Sequence, residues 1–145
     1  MNNTSCPMCT TGQLTLLKDT DEIQYKNQTL IIEVEYAICD QCAEEMILPE
    51  QIKRNDCRVR DAWRKADGLL TGKEIIELRH YLGLTQQQAS KIFGGGLNAF
   101  SKYERGEVIQ SEAMDKLMRI AREKESAFRW LKNYANLVNK SVTVS

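Results

Sequence analysis

Four of the five cysteines form two pairs with the C-x-x-C spacing that metal-binding turns use. The pairs are Cys6 with Cys9 and Cys39 with Cys42. One such turn places two thiolates on one side of a metal ion, and a second turn completes a tetrahedron with zinc–sulfur distances of about 2.3 Å. Since four sulfur ligands leave no open coordination position, the pattern predicts one structural zinc ion per chain and no zinc catalysis.

Cysteines at this spacing also occur in redox-active pairs and in disulfides. A redox pair of the thioredoxin type lies beside a βαβ unit, and the sequence predicts none here. The odd number of cysteines argues against a disulfide framework. We expect Cys57 to be an ordinary buried or half-buried thiol and His80, the only histidine, to be structural or solvated. Since no nucleophile lies near a base, the sequence does not predict an enzyme.

The second group of candidate residues lies in the segment TQQQASKIFGGGLNAFSKYERG, residues 85–106. Its length and spacing predict a helix-turn-helix in which three consecutive glycines form the turn. In this motif the first residues of the second helix reach base edges in the major groove of DNA. Asn98 and, one turn later, Lys102 occupy these positions. The asparagine amide can pair with adenine, and the lysine can reach a guanine or a phosphate.

Further candidate DNA contacts surround the glycine turn. We predict that Gly94 ends the first helix with a positive φ and that Gly96 is the N-cap of the second. Gly95 leaves the turn without side chains, so backbone amides can approach a phosphate. Leu97 can pack against a thymine methyl group or against its own domain. We expect additional contacts from neutral amides and cations at Gln86, Gln87, Lys91 and Arg105.

The sequence of the first half of the chain predicts the strands that position the cysteines and the helix that follows them. Leu14–Leu17 suits a short strand, and apolar and polar residues then alternate on both sides of Lys26-Asn27-Gln28, which predicts a β-hairpin. A β segment of about 45 residues has little core of its own, whereas metal ligation contributes roughly 10–16 kcal/mol of apparent folding energy in small zinc modules. From Pro49 to about Ala66 the sequence predicts a charged helix, which Asp67-Gly68 ends.

The second half predicts helices with clearly marked starts. The capping residues are Thr71 with Glu74, Thr85 with Gln88, and Ser111. A last helix over about residues 126–139 carries an aromatic face, which either extends a dimer interface or covers the domain core. The predicted fold class is therefore α+β with two domains. A β-rich zinc-binding domain (1–48) is followed by a helical connector (49–68) and an all-α helix-turn-helix domain (69–145).

Composition restricts the class of protein. The 145 residues include 20 basic and 20 acidic side chains, so net charge gives no argument for nucleic-acid binding. The sequence contains no run of about 18 apolar residues, so it predicts no membrane span. The start of the chain has neither the basic nor the apolar region of a secretory signal, so we expect a cytoplasmic protein.

Taken together, these motifs resemble the MqsA (YgiT-type) family of antitoxins from type II toxin–antitoxin systems. The resemblance extends from Cys6 to about Leu117 and depends on the C-P-x-C and C-x-x-C pairs and on LTQQQASKIFGGGLNAFSKYERG. It implies an N-terminal zinc domain that blocks a small ribonuclease toxin, and a C-terminal Xre-type helix-turn-helix that dimerises and represses the operon. It also implies that Asn98 reads a base and that zinc is bound by Cys6, Cys9, Cys39 and Cys42. Lys102 occupies the other base-reading position, where the family usually has arginine.

The sequence and this resemblance predict a homodimeric antitoxin that binds palindromic operator DNA. Its half-sites would lie about 34 Å apart, one helical turn, or a multiple of that distance. The expected partners are double-stranded operator DNA, a second copy and a small ribonuclease toxin, with no membrane. The nearest alternative is a free-standing zinc-containing transcriptional regulator without a toxin. A zinc- or redox-dependent enzyme would require an open ligand position or an acid/base pair, and the sequence predicts neither.

Overall fold

The structure is a computed structural model that describes residues 4–143, with side chains through residue 136. The chain divides into two compact units, of which the first ends at Trp63 and the second begins at Arg64. The first unit contains a three-stranded antiparallel sheet, and the second is helical. The predicted α+β fold class with two domains is therefore confirmed. Among the described residues, no helix is long and apolar enough to cross a membrane.

A long β-hairpin forms the framework of the first unit. The strands, in their order across the sheet, are β1 (Leu14–Tyr25), β2 (Gln28–Cys39) and β3 (Glu45–Met46). Lys26 and Asn27 form the hairpin turn with φ values of 45° and 63°, the left-handed pair whose twist matches that of the strands. The predicted hairpin is confirmed. The short strand predicted at residues 14–17 is the beginning of one continuous strand.

Helix α1 (Pro49–Ala66) covers a part of the β2 edge that the short strand β3 leaves unpaired. The side-chain amide of Asn55 accepts from the backbone N–H of Glu35 at 2.8 Å and donates to its carbonyl at 3.0 Å. The Glu35 carboxylate is 9% exposed and forms ion pairs with Arg54 at 2.8 Å and Arg58 at 2.7 Å. The hydrogen bond from Arg54, followed by that from Arg58, lowers the pKa of Glu35 to about 2. The predicted helix therefore also closes an edge that could otherwise pair with other strands.

The second unit packs five helices around an apolar core. The helices are α2 (Gly72–Tyr81), α3 (Gln86–Phe93), α4 (Ala99–Glu104), α5 (Glu112–Glu123) and α6 (Glu125–Thr143). Thr71 and Thr85 form the predicted capping boxes, and the Ser111 hydroxyl accepts from the backbone N–H of Met114. The buried core residues are Leu70, Ile75, Leu78, Ala89, Phe93, Ala99, Phe100, Tyr103, Met118 and Ala121.

The turn between α3 and α4 differs from the prediction at one residue. Gly94 ends α3 with a φ of 91°, as predicted, and donates its N–H to the carbonyl of Ser90. The prediction that Gly96 caps the next helix is wrong, because its φ of 97° is not the extended conformation of an N-cap. Asn98 is the N-cap, and its side chain makes no capping hydrogen bond. Helix α4 therefore begins at Ala99.

Helix α6 begins one residue before the predicted start and is longer than predicted. Phe128 and Leu131 pack against the core. Trp130 and Tyr134 are 61% and 56% exposed and stack on each other with ring centroids 5.3 Å apart. The helix therefore covers the core with one face and presents aromatic rings on another. The sequence also suggests Leu137 and Val138 for the apolar face of this helix, and both lie beyond the side chains that the structure describes.

Candidate functional site

Two turns of the first unit bring the four predicted metal ligands together. Cys6 and Cys9 precede β1, Cys39 ends β2, and Cys42 lies in the turn before β3. The four Sγ atoms all lie within 4.8 Å of one another. The Sγ–Sγ distances are 3.8 Å for Cys6–Cys42 and 3.6 Å for Cys9–Cys39. A tetrahedron with metal–sulfur bonds of about 2.3 Å has edges of roughly 3.8 Å, so the cysteines are positioned to bind one metal ion, as a structural zinc site requires.

Hydrogen bonds to the Cys9 sulfur favour the thiolate form that a metal needs, whereas burial and the nearby cysteine side chains raise the pKa of the Cys42 thiol to about 12. The Cys9 sulfur accepts from the Thr11 hydroxyl at 3.6 Å and from the Gly12 amide at 3.3 Å. These two bonds, in this order, are the main causes that lower the pKa of Cys9 to about 6. The Cys39 sulfur accepts two amide hydrogen bonds, from Gln41 and Cys42. Because four thiolates at these distances repel one another, the cluster suits a divalent cation between them.

Gly12 is a site residue that the sequence did not single out. A Cβ atom at this position would lie 2.2 Å from Sγ of Cys39 and 3.0 Å from Oδ1 of Asp40. The backbone N–H of Gln13 donates to Oδ1 of Asp40 at 2.9 Å, and the Asp40 N–H donates to the Gln13 carbonyl at 3.0 Å. The two cysteine turns therefore lie so close together that only glycine fits. Its place three residues after Cys9 was the available signal, although glycine is common in any turn.

Cys57 and His80 lie outside the cysteine cluster. Cys57 is a half-buried thiol of α1, as expected. His80 is exposed in the last turn of α2. Neither belongs to the group of ligand atoms that the four clustered cysteines form.

Five of the predicted DNA contacts line one depression of about 370 Å³ in the second unit. They are Gly95, Gly96, Leu97, Asn98 and Lys102. Leu97 is 71% exposed, so its side chain is not part of the core of its own domain. Within the described part of the chain, the amides of Gly95 and Gly96 donate no hydrogen bond. The depression therefore combines unpaired amide donors, one side-chain amide and one cation.

The other four predicted contacts lie outside this depression. Gln86 donates its side-chain amide to the carboxylate of Glu104 at 3.2 Å, whereas Gln87 is exposed. Arg105 forms an ion pair at 3.0 Å with the glutamate two residues further along the chain. Lys91 lines a separate depression of about 200 Å³ between α3 and α6. These side chains are therefore not brought together with Asn98.

An ion pair that the sequence did not indicate fixes the end of α4. The Glu104 side chain is 4% exposed and accepts two hydrogen bonds from Arg79, at 2.8 Å and 2.9 Å. Arg79 also donates to the carbonyl of Leu84 at 2.9 Å. The pair connects α2 with α4 and with the segment that leads into α3. This arrangement holds the candidate DNA-contacting helix in a fixed position relative to the two helices before it.

Comparison with known proteins gives two matches over most of the chain. The model of the family described as "Antitoxin component of bacterial toxin-antitoxin system, MqsA" matches residues 4–127. "Antitoxin MqsA" of Escherichia coli (strain K12) is 31% identical over 117 residues, which cover 79% of this chain and 89% of that relative. The matched residues include both cysteine pairs and the complete helix-turn-helix segment. Both matches confirm the resemblance found in the motifs.

Proposed function

The chain belongs to the MqsA family of antitoxin components of bacterial toxin–antitoxin systems, and we propose that it neutralises a ribonuclease toxin and represses its own operon. The first unit would bind the toxin, and the second would bind palindromic operator DNA as a homodimer. The match over residues 4–127 carries this proposal, because it includes both the cysteine cluster and the helix-turn-helix. We further propose that the protein acts in the cytoplasm and is not an enzyme.

The metal centre would serve the toxin-binding unit by holding its shape. A zinc ion bound by the four cysteines supplies a cross-link between the two turns, while Gly12 permits their close approach. Its contribution is large for this unit, because the buried residues there are few and include the ligands Cys6 and Cys39. The cross-link would keep the base of the hairpin closed while its strands face the toxin.

A groove of about 480 Å³ beside β3 supports a toxin interface in this unit. Its apolar lining includes Val34, Tyr36, Met46 and Ile47. Exposed carboxylates stand around this lining, at Asp19, Asp21 and Glu45. A ribonuclease acts on a polyanion and therefore needs a cationic surface. An apolar groove with acidic side chains is complementary to such a surface, so we propose that the toxin docks here.

The depression around Asn98 supports operator binding by the second unit. The Asn98 side chain makes no capping bond and can pair with adenine, and Lys102 can reach a guanine or a phosphate. The unpaired amides of Gly95 and Gly96 can receive a phosphate. Because these donors are uncharged, the proposed phosphate contact does not require a positive net charge, and the chain has a formal net charge of zero. The exposed aromatic pair on α6 supports a contact between two copies.

Co-purification of the full chain from its native host tests the toxin partner. The proposal expects a small basic protein that cleaves RNA and that loses this activity when the chain is added back. Recovery of the promoter fragment without any protein partner would favour the free-standing regulator and would contradict the antitoxin role.

The substitution Asn98→Ala tests operator reading. Loss of a bidentate base contact should weaken operator binding by about 1–3 kcal/mol, roughly 5- to 150-fold, with little change on random DNA of the same length. The variant Lys102→Gln is the matched comparison. A loss on operator alone would indicate a guanine contact, and equal losses with a smaller salt dependence would indicate a phosphate contact. Equal losses for Asn98→Ala on both DNAs would contradict its base-reading role.

A further inference from the structure

Tyr103 has a buried ring but belongs to the same depression as the candidate base-reading residues. The residue is 9% exposed, and its ring packs edge-on against Phe100 with centroids 5.6 Å apart. The ring belongs to the buried core of the second unit. Yet Tyr103 lines the depression together with Asn98 and Lys102. Its hydroxyl oxygen lies 3.2 Å from the position that a Cβ on Gly95 would occupy, so the hydroxyl is next to the glycine turn.

The Tyr103 hydroxyl has no hydrogen-bond partner among the residues that the structure describes. The hydroxyl oxygen is not one of the fully buried polar atoms that lack a partner, so it is accessible from the depression that Tyr103 lines. Phenylalanine would fill the same space in the core, so packing alone does not require the hydroxyl. The hydroxyl is therefore an accessible donor beside the glycine turn, which a ligand in the depression can reach.

The groups around the hydroxyl determine the chemistry of that ligand. The amides of Gly95 and Gly96 are unpaired donors, and Lys102 adds a positive charge to the same depression. An acceptor with several oxygen atoms and a negative charge can satisfy all of these donors at once. A phosphodiester group has these properties, whereas a base edge presents both donors and acceptors.

We propose that the Tyr103 hydroxyl donates a hydrogen bond to a phosphodiester oxygen of the operator backbone, held over the bare Gly95. This inference rests on the proposed operator binding. The contact positions α4 on the duplex and carries no sequence information, because every nucleotide has the same phosphate. Tyr103 is therefore a positioning residue beside the base-reading Asn98.

The substitution Tyr103→Phe in the full chain tests the proposal, because it removes the hydroxyl and keeps the ring in the core. We expect an unchanged melting temperature and a loss of affinity of about 3- to 10-fold, equal on operator and on random DNA. The matched control is Tyr81→Phe, which removes a hydroxyl from an exposed ring on α2 and should leave both affinities unchanged.

Methylphosphonate duplexes, in which single backbone phosphates lose their charge and an oxygen, identify the phosphate. At one position in each half-site, the wild type should bind more weakly and the difference between wild type and Tyr103→Phe should disappear. The proposal would be overturned if the difference in affinity between wild type and Tyr103→Phe stayed the same at every methylphosphonate position. It would also be overturned if Tyr103→Phe bound both DNAs with wild-type affinity. A loss confined to operator DNA would also overturn it, since it would mean that the hydroxyl reads a base.

The same measurements separate this inference from the operator-binding proposal. A wild-type chain that binds operator no better than random DNA would overturn the proposed repressor function. A wild-type chain that prefers its operator, combined with an unaffected Tyr103→Phe variant, would overturn the phosphate contact alone.

Discussion

The two units of the chain differ in what lies at their centres. In the second unit, side chains from α2 to α5 form a buried apolar cluster, and Phe128 and Leu131 of α6 pack against it. In the described part of the first unit, the buried cluster consists of Cys6, Leu14, Ala37 and Cys39, and Cys9, Met46 and Leu48 pack against it partly buried; three of these seven residues are candidate metal ligands. The metal centre of the first unit thus occupies the place that a hydrophobic core occupies in the second.

This difference has consequences for folding energy and for function. Full burial of a large apolar side chain contributes about 1.5–3 kcal/mol, so several such residues can hold the second unit together. The first unit has few, and metal ligation at roughly 10–16 kcal/mol would dominate its stability. The comparison teaches that toxin binding should depend on the metal, whereas operator binding should not.

The largest expected effect comes from Cys39→Ser, which replaces one sulfur ligand with a poor ligand. The first unit should unfold, and the zinc content should fall from about one ion per chain to well below one. Metal analysis and circular dichroism of the full chain measure both results. The matched control is Cys57→Ser, because Cys57 lies outside the cluster and its removal should leave one zinc ion bound. A fully folded first unit without zinc would remove the contrast between the units.

An intermediate effect is expected from Gly12→Ala. This substitution tests how strongly the first unit depends on its metal site while all four cysteine ligands are kept. The added methyl group would overlap Sγ of Cys39, so one of the turns must shift. We expect zinc affinity to fall by about 10- to 100-fold, as for other groups that orient metal ligands, measured by competition with a chelator. Gly68→Ala is the control, since Gly68 lies in the second unit and nothing lies within 4 Å of the added methyl group; its φ of 76° strains the backbone there, away from the cysteine turns. Equal zinc affinities for Gly12→Ala and wild type would contradict the close approach of the turns.

The smallest effect is expected from Glu35→Gln, which tests the polar contacts between α1 and β2. Loss of the charge should lower the free energy of unfolding of the zinc-bound first unit by about 1–3 kcal/mol at pH 7, measured by chemical denaturation. Glu33→Gln is the matched control, because Glu33 is 50% exposed and its ion pairs should contribute less than about 1 kcal/mol. Equal losses of unfolding free energy for Glu35→Gln and Glu33→Gln would mean that burial does not strengthen the ion pairs of Glu35.

The pH dependence of this contribution follows from the lowered pKa of Glu35. The pKa is about 2 in the folded chain, against a reference value of 4.5. The stabilisation is therefore complete above about pH 4.5 and is lost as the pH falls toward 2. The difference between wild type and Glu35→Gln should accordingly be constant between pH 6 and pH 8.

Local rules made much of the fold predictable from the sequence. The cysteine pairs, the capping boxes at Thr71 and Thr85, and the helix end at Gly94 each depend on residues a few positions apart. Gly96 was misassigned because a glycine before a helix can either be its N-cap or take a positive φ in the turn. Its neighbours in sequence do not decide between the two conformations.

Contacts between distant residues could not be predicted in this way. The pairs Glu35–Arg54 and Arg79–Glu104 join side chains 19 and 25 positions apart. The clash that excludes a side chain at Gly12 involves the other cysteine turn. The position of the Tyr103 hydroxyl likewise depends on how α4 packs beside the glycine turn. Such features need the three-dimensional arrangement of elements that the sequence pattern specifies only one at a time.

Residue-resolved hydrogen exchange of the full chain, before and after a chelator removes the metal, tests the independence of the two units most directly. The account predicts that amides of β1 and β2 lose their protection, whereas amides of α2 to α5 keep theirs and operator affinity is unchanged. Loss of protection in both units together, with loss of operator binding, would contradict it.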